Sequence, residues 1–439
     1  MNTKTFVVWL LLFAPVAFVQ PAGAAVDTDQ MASNIDGLMA PRVKAKLVSG
    51  VIVIARGSRP IFKRAYGMAD WERNVPNSSV TRFNIGSITK AMTEAVIAEL
   101  AAEGRLRLDA PVDEYLEGFP KGPNGGRPTV RQLLTHTAGV PWRVTEPLDE
   151  TQELHAADIV ERVKQRGLLF EPGAKEEYSS AGFTCLARIV EMIEKQPFES
   201  VLAERVFKPT HMTSATDETG QRLMAHRAMP YLFGVDHESL SIVSAPYKNL
   251  RFLTGAGSVF ATPSDMLHFV EGVKTGLFGN ELRGRLFGGD TGAWHGIYGR
   301  TNGYEASVDV LPSKDLVFVF LANLQSGANW QIREQIRNLL RGKRVASIPL
   351  PPPMAASFEA PASFVGEYGP ADDPIFISSV DGELLRDENV FYPIAGKQYY
   401  IPASSSLMHF ERDANGVVTE LITIFGDGRR TVRPRMAGK

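Results

Sequence analysis

Two apolar runs, Val48-Ser49-Gly50-Val51-Ile52-Val53-Ile54-Ala55 and Asp315-Leu316-Val317-Phe318-Val319-Phe320-Leu321-Ala322-Asn323, stand at opposite ends of a long stretch that alternates helix-like and loop-like patterns. Both are rich in β-branched or aromatic residues and lack a polar face, the pattern of a strand buried on both sides. After the first run, a turn through Gly57 and Pro60 leads into Ile61-Phe62-Lys63-Arg64-Ala65-Tyr66, which predicts a β-hairpin. Strands at both ends of a helical middle point to an α+β domain, one antiparallel sheet with a helical lobe.

The clearest break in the chain is Pro349-Leu350-Pro351-Pro352-Pro353, where contiguous prolines favour an extended spacer. It divides a unit over residues 25–343 from a linker over 344–356 and a small all-β domain over 357–439. That last part holds short strand-like runs, such as Gln398-Tyr399-Tyr400-Ile401, between turns such as Asn415-Gly416, which argues for a small antiparallel barrel or sandwich. At the other end, Lys4, the apolar run Phe6 to Val19 and the small residues Ala22-Gly23-Ala24 form an export signal over residues 1–24. The run is shorter than the ~20 apolar residues needed to span a bilayer, so no transmembrane segment is expected in the mature chain. These features predict an exported protein, periplasmic or secreted.

Lys+Arg 47 nearly cancels Asp+Glu 49, so no nucleic-acid partner is implied, and Arg341-Gly342-Lys343-Arg344 reads as a solvated helix end. Cys185 is the only cysteine, which excludes an internal disulfide. Histidines show no H-E-x-x-H spacing, and no G-x-S-x-G elbow is present. Neither a metal site, a cofactor nor an α/β-hydrolase triad is expected.

The chemistry is argued from Phe83-Asn84-Ile85-Gly86-Ser87-Ile88-Thr89-Lys90, which opens an apolar helical pattern running to Ala102. With Ser87 in the first turn of that helix, Ser87 and Lys90 rise from one face about 5–6 Å apart at Cβ. A serine hydroxyl needs a base, and a lysine whose ammonium is desolvated can serve as one. Such pairs also occur on ordinary solvated helices, so the spacing alone does not decide. Tyr178, displayed after the turn Phe170-Glu171-Pro172-Gly173, is either a proton relay or a half-buried loop tyrosine. Gly296 to Tyr304 precedes the second buried run, and its glycines allow a ligand close to the strand edge. Trp142, Arg143, Trp294 and Tyr298 either line a pocket or pack where the lobes join.

Four stretches in this order carry a family resemblance: Phe83 to Thr93, Thr129 to Pro141, Phe170 to Phe183, and Gly255 to Asp265. The chain resembles the serine β-lactamase and penicillin-binding-protein superfamily, in the branch that holds class C β-lactamases, D-aminopeptidases, D-alanyl-D-alanine carboxypeptidases and family VIII carboxylesterases. The resemblance implies a β-lactamase/transpeptidase-like fold with a lipocalin-like C-terminal domain. It implies that Ser87 is acylated, Lys90 is the neighbouring base and Tyr178 assists proton transfer. It also assigns substrate contacts to Ser180, Ile297, Tyr298, Gly299 and Arg300, with the Arg300 N–H as second oxyanion donor. Two departures bear on the substrate. Ser180 stands where the family's Tyr-x-Asn motif has its amide, and Ile297 replaces the lysine or histidine of the third motif. Both favour peptide or ester bonds of a small-molecule or short-peptide substrate over β-lactams. The alternatives are a β-lactamase or D,D-carboxypeptidase, and a slowly acylating sensor; oligomeric state is not legible.

Overall fold

The computed structural model describes residues 28–436 apart from 147–148, 218–222, 237–238, 290–291, 344–349, 356–361, 371–373, 381–382, 387–388, 396–397 and 426–427. The export signal read at residues 1–24 and much of the linker lie outside the described residues. Helix α1 (Thr28–Lys44) precedes strands β1 (Gly50–Arg56) and β2 (Arg59–Tyr66), and the nucleophile motif opens helix α2 (Thr89–Ala102). After the helical lobe come β3 (His295–Thr301), β4 (Tyr304–Leu311), β5 (Leu316–Ala322) and helix α3 (Gly327–Leu340).

The strands form one antiparallel sheet in the order β2-β1-β5-β4-β3, so the two apolar runs pair directly, Val53 opposite Val319 and Gly50 opposite Ala322. Burial alternates along them. Ile52, Ile54, Phe318 and Phe320 face a layer built from α1 and α3, whereas Val51, Val53, Val319 and Leu321 face the helical lobe. This is why neither run has a polar face, and each such side chain contributes about 1.5–3 kcal/mol by leaving water. The outer strand β2 is mostly exposed and carries Lys63 and Arg64, charges that discourage pairing with another chain.

The C-terminal part is an all-β, nearly closed barrel of eight described strands in sequential order, Gly366–Tyr368 to Arg430–Pro434. Its first and last strands meet where Gly369 N–H donates to Pro434 O at 2.8 Å and Met436 N–H to Glu367 O at 2.8 Å. Aromatic side chains fill the interior, with Phe364 stacked on Phe410 at 4.0 Å between centroids. The barrel packs closely on the catalytic unit. Val390 joins the core around Tyr231 and Phe233, and Tyr392, Ile394 and Tyr400 cover Val235 and Leu240. At the start of α3, Gly327 N–H donates to Pro402 O at 2.9 Å, and a Cβ at Gly327 would collide with the Ser404–Ser405 backbone.

One local expectation needs correction. Ser87 does not lie in the first turn of the α-helix: Gly86–Ile88 is a 3-10 turn and α2 begins at Thr89. The cause is Gly86, whose φ of +52° is incompatible with a right-handed helix start. Of the two places open to Trp294, the structure takes the packed one. Trp294 is 8% exposed in the core beneath α3, and its Nε1 donates to Arg337 O at 3.2 Å.

Candidate active site

Asn84, fully buried, ties the catalytic turn to its neighbours. Its Nδ2 donates to Gly257 O at 3.0 Å and Val259 O at 3.2 Å, while its Oδ1 accepts from Gly86 N–H at 3.0 Å and from the Thr301 hydroxyl at 2.6 Å. One amide thus joins the nucleophile turn, the Gly255–Val259 loop and the end of β3. The turn and β3 approach so closely that a Cβ at Gly86 would stand 2.5 Å from Arg300 N, and one at Gly299 would stand 2.8 Å from Ser87 N. Thr301 and Tyr304 pair across the two-residue turn between β3 and β4. Arg300, one step back, therefore directs its N–H away from β4 and toward the turn. Two backbone amides, of Ser87 and Arg300, then stand side by side next to the Ser87 hydroxyl, the arrangement that stabilises an oxyanion.

Lys90 is 7% exposed and lies behind the serine. Its Nζ contacts three oxygens: Ala256 O at 2.8 Å, Ser87 Oγ at 3.2 Å and Ser180 Oγ at 3.3 Å. Burial without a carboxylate partner pulls its pKa down to about 7. Neutral, the amine has two N–H donors for Ala256 O and Ser180 Oγ, which leaves its lone pair facing Ser87 Oγ. The Ala256 acceptor is itself held in place, since Gly255 O accepts from the Thr93 hydroxyl at 2.6 Å and the Ser258 hydroxyl bonds to the buried Asp217.

Tyr178 Oη lies 2.7 Å from Ser87 Oγ on the open side. Burial raises its pKa, so the phenol is protonated near neutrality, although hydrogen bonds from Ser87 and Ser180 oppose the shift. His136 positions it. The residue has φ of +58°, its carbonyl accepts from Glu177 N–H at 2.8 Å, and its Nδ1 accepts from Ser179 N–H at 3.1 Å. Its ring stands 4.5 Å from the Tyr178 ring, so both neighbours of the tyrosine and the ring itself rest on one histidine. Burial and the nearby Lys90 lower its pKa to about 4, so it stays neutral while the lysine titrates.

A cavity of about 970 Å³ opens in front of Ser87, walled by Tyr178, Ser180, Trp142, Arg143, Tyr298 and Arg300 on the catalytic unit and by Phe376, Arg386, Asn389 and Arg433 on the barrel. On β3 the faces alternate. Tyr298 and Arg300 reach the cavity, whereas Ile297 packs on the lobe core and Gly299 serves the close approach to Ser87. Gly303 does not border the cavity; a Cβ there would meet Tyr231 N at 2.7 Å. Arg300 Nε lies 3.2 Å from the Gln325 amide oxygen, and that amide meets Asn389 of the barrel at 3.0 Å. Sequence reasoning missed Asn84 and His136, although both fall inside the quoted motifs, and the barrel wall, where no motif marks the residues.

An antiparallel sheet backing a partly exposed Ser87 and a buried Lys90, with a tyrosine on the open side, is the arrangement of a serine hydrolase of the β-lactamase and penicillin-binding-protein superfamily. The comparisons agree. The β-lactamase family model matches residues 31–340, and the chain belongs to that family of serine hydrolases. It is 25% identical over 329 residues to a protein of Bacillus subtilis (strain 168) named as a penicillin-binding protein, PbpX, covering 72% of this chain and 79% of that one. Among solved structures it resembles a D-amino acid amidase from Ochrobactrum anthropi SV3, with TM-score 0.62 and 18% identity over 72% of this chain and 100% of the amidase. It also resembles an octameric penicillin-binding protein homologue from Pyrococcus abyssi, with TM-score 0.61 and 19% identity over 93% of this chain and 100% of the other. Among the described residues no helix is long and apolar enough to cross a membrane.

Proposed function

We propose that this chain is an exported hydrolase that forms an acyl-enzyme on Ser87 and cleaves amide, peptide or ester bonds of small substrates. The observation that carries the reading is the contact of Lys90 Nζ and Tyr178 Oη with one hydroxyl, at 3.2 and 2.7 Å, with the amine drawn down to about 7. The neutral amine takes the Ser87 proton as Oγ attacks the carbonyl carbon. The Ser87 and Arg300 N–H groups receive the oxyanion, and the protonated Tyr178 stands on the side from which a leaving group departs. Water then displaces the acyl group by the reverse sequence of proton transfers.

The substrate reading rests on two departures from the family's motifs. Ile297 stands where relatives carry a cation and packs on the lobe core instead, and Ser180 supplies a hydroxyl to the cavity wall in place of an amide. Both disfavour β-lactams. Similarity to a D-amino acid amidase and to penicillin-binding proteins supports D-amino-acid amides and short peptides as the first compounds to try. The N-terminal apolar segment supports export.

A panel of p-nitrophenyl esters, D-amino-acid amides and nitrocefin tests the reading. Steady turnover of an ester or amide, one phosphonate label per chain, and loss of that label in Ser87→Ala are expected. A single burst without turnover would make the protein a sensor, and labelling that persists in Ser87→Ala would move the nucleophile elsewhere.

A further inference from the structure

Ile297 brings no cation to the cavity, yet β3 still presents one there, the side chain of Arg300. What that charge can hold depends on the strand behind it. Glu305 of β4 stands directly opposite Arg300 in the ladder, so the two side chains leave the same face of the sheet. Tyr298, two residues before Arg300, shares that face. Glu305 is 7% exposed, and both of its oxygens are engaged. Oε1 accepts from the Tyr298 hydroxyl at 3.1 Å, and Oε2 accepts from Asn329 Nδ2 at 2.5 Å and Ser326 N–H at 3.4 Å. Three converging donors suit an ionised carboxylate, which only accepts. Burial pushes its pKa up, and the Arg300 charge and the three hydrogen bonds hold it back. The surroundings are fixed. Asn329 also donates to Leu324 O at 2.8 Å, the Arg300 guanidinium rests on the Gln325 amide oxygen, and the Tyr298 ring meets Trp330 edge-on at 6.1 Å between centroids.

We propose that Glu305 sets the substrate preference of this wall: it offsets the Arg300 charge and holds the Tyr298 proton, so the side of the cavity along β3 takes a substrate with an uncharged group beside the scissile bond and rejects one with a carboxylate there. The proposal deepens the acyl-enzyme reading and rests on it, since the preference is read from turnover at Ser87. A carboxylate brought to Arg300 approaches a second, buried negative charge and a phenol whose proton is already committed. A neutral ester or amide meets no such repulsion. Arg300 in turn gives the buried carboxylate its counter-charge, which is why a cation stands on this strand without serving as an anion site. Glu305 touches no substrate; it is a positioning residue that acts through Tyr298 and Arg300. Selection by a repulsive group predicts that removing the group widens the range of substrates.

The test uses two matched ester pairs: p-nitrophenyl butyrate with mono-p-nitrophenyl succinate, which adds a carboxylate on the acyl side, and phenyl acetate with 3-carboxyphenyl acetate, which adds one on the leaving group. The readout is the ratio of kcat/KM for the charged ester to that for the neutral one. Glu305→Gln keeps the shape, since its oxygen can accept from Asn329 and Ser326 while its N–H donates to the Tyr298 oxygen, and so removes the charge alone. It is expected to raise the ratio about tenfold in at least one pair, through a lower KM for the charged ester. Glu305→Asp, which keeps the charge, and Glu305→Gln with Arg300→Gln, which removes both charges, should return the ratio to within about threefold of native. An unchanged ratio in both pairs overturns the proposal, and so does an equal change for charged and neutral esters, which marks a merely structural role. If Glu305→Gln does not fold, Arg300→Gln alone decides: a ratio that stays near native supports the proposal, and a tenfold fall shows that Arg300 already holds a carboxylate and overturns it. Phosphonate labelling keeps the two readings apart. No label on the native chain removes the acyl-enzyme reading, whereas a label on Ser87 with an unchanged ratio removes this proposal alone.

Discussion

A lysine amine with a pKa of about 7 is half deprotonated near neutrality, whereas an ordinary lysine is not. The neutral form is the one that takes the Ser87 proton, so kcat/KM for ester hydrolysis should rise with pH through a midpoint near 7 and level off above it. Tyr178 is shifted the other way by burial, so its phenol adds no second limb near neutrality. A stopped assay over roughly pH 5 to 9 checks this, and a profile flat through neutrality would exclude Lys90 as the base. Lys90→Arg, which keeps the charge but cannot shed it, should be inactive across that range. That Ser87, Lys90 and Tyr178 meet was legible from the Ser-Lys spacing and, for Tyr178, from the family resemblance. Their mutual distances were not, since these depend on Asn84 and His136, whose contacts join segments far apart in the chain. Ile297 and Tyr298 show the same limit: the resemblance assigns substrate contacts to both, whereas the pairing of β3 with β4 turns Tyr298 to the cavity and Ile297 to the lobe core.

At the scale of elements, the catalytic turn and the edge of β3 are held closer than side chains allow. Gly86→Ala places a Cβ 2.5 Å from Arg300 N in a backbone conformation with φ of +52°. Strain of about 1–3 kcal/mol is relieved by moving the turn off the strand, which separates the two amide donors. The expected result is a kcat lower by about 10²–10³ at a modest cost in stability, read from kinetics and a melting curve on the same sample. Unchanged kcat would mean that the Arg300 amide takes no part. The two apolar runs and the hairpin were correctly read from composition and alternation, because burial on both faces leaves no polar residue to mislead. The start of α2 was misread because a helix pattern in Ile88, Met92, Ala95 and Val96 does not reveal that a glycine with positive φ precedes it.

For the whole molecule, the proline-rich spacer suggests two separable units, whereas the surfaces they bury suggest one. A chain ending at Lys343 would uncover Tyr231, Phe233, Val235 and Leu240 and remove Phe376, Arg386, Asn389 and Arg433 from the cavity wall. It is expected to aggregate, because an exposed apolar patch of this kind seeks another surface, and any soluble fraction should hydrolyse the ester at least about tenfold more slowly. Gel filtration and the ester assay decide; a monodisperse truncated chain with native turnover would show the barrel to be dispensable. Barrel closure also bears on the cavity. The strand that seals it, Arg430–Pro434, is the last of the described strands and also carries Arg433 into the wall before Ser87. A polypeptide lacking those few residues is expected to leave the cavity open on the flank that Arg433 walls.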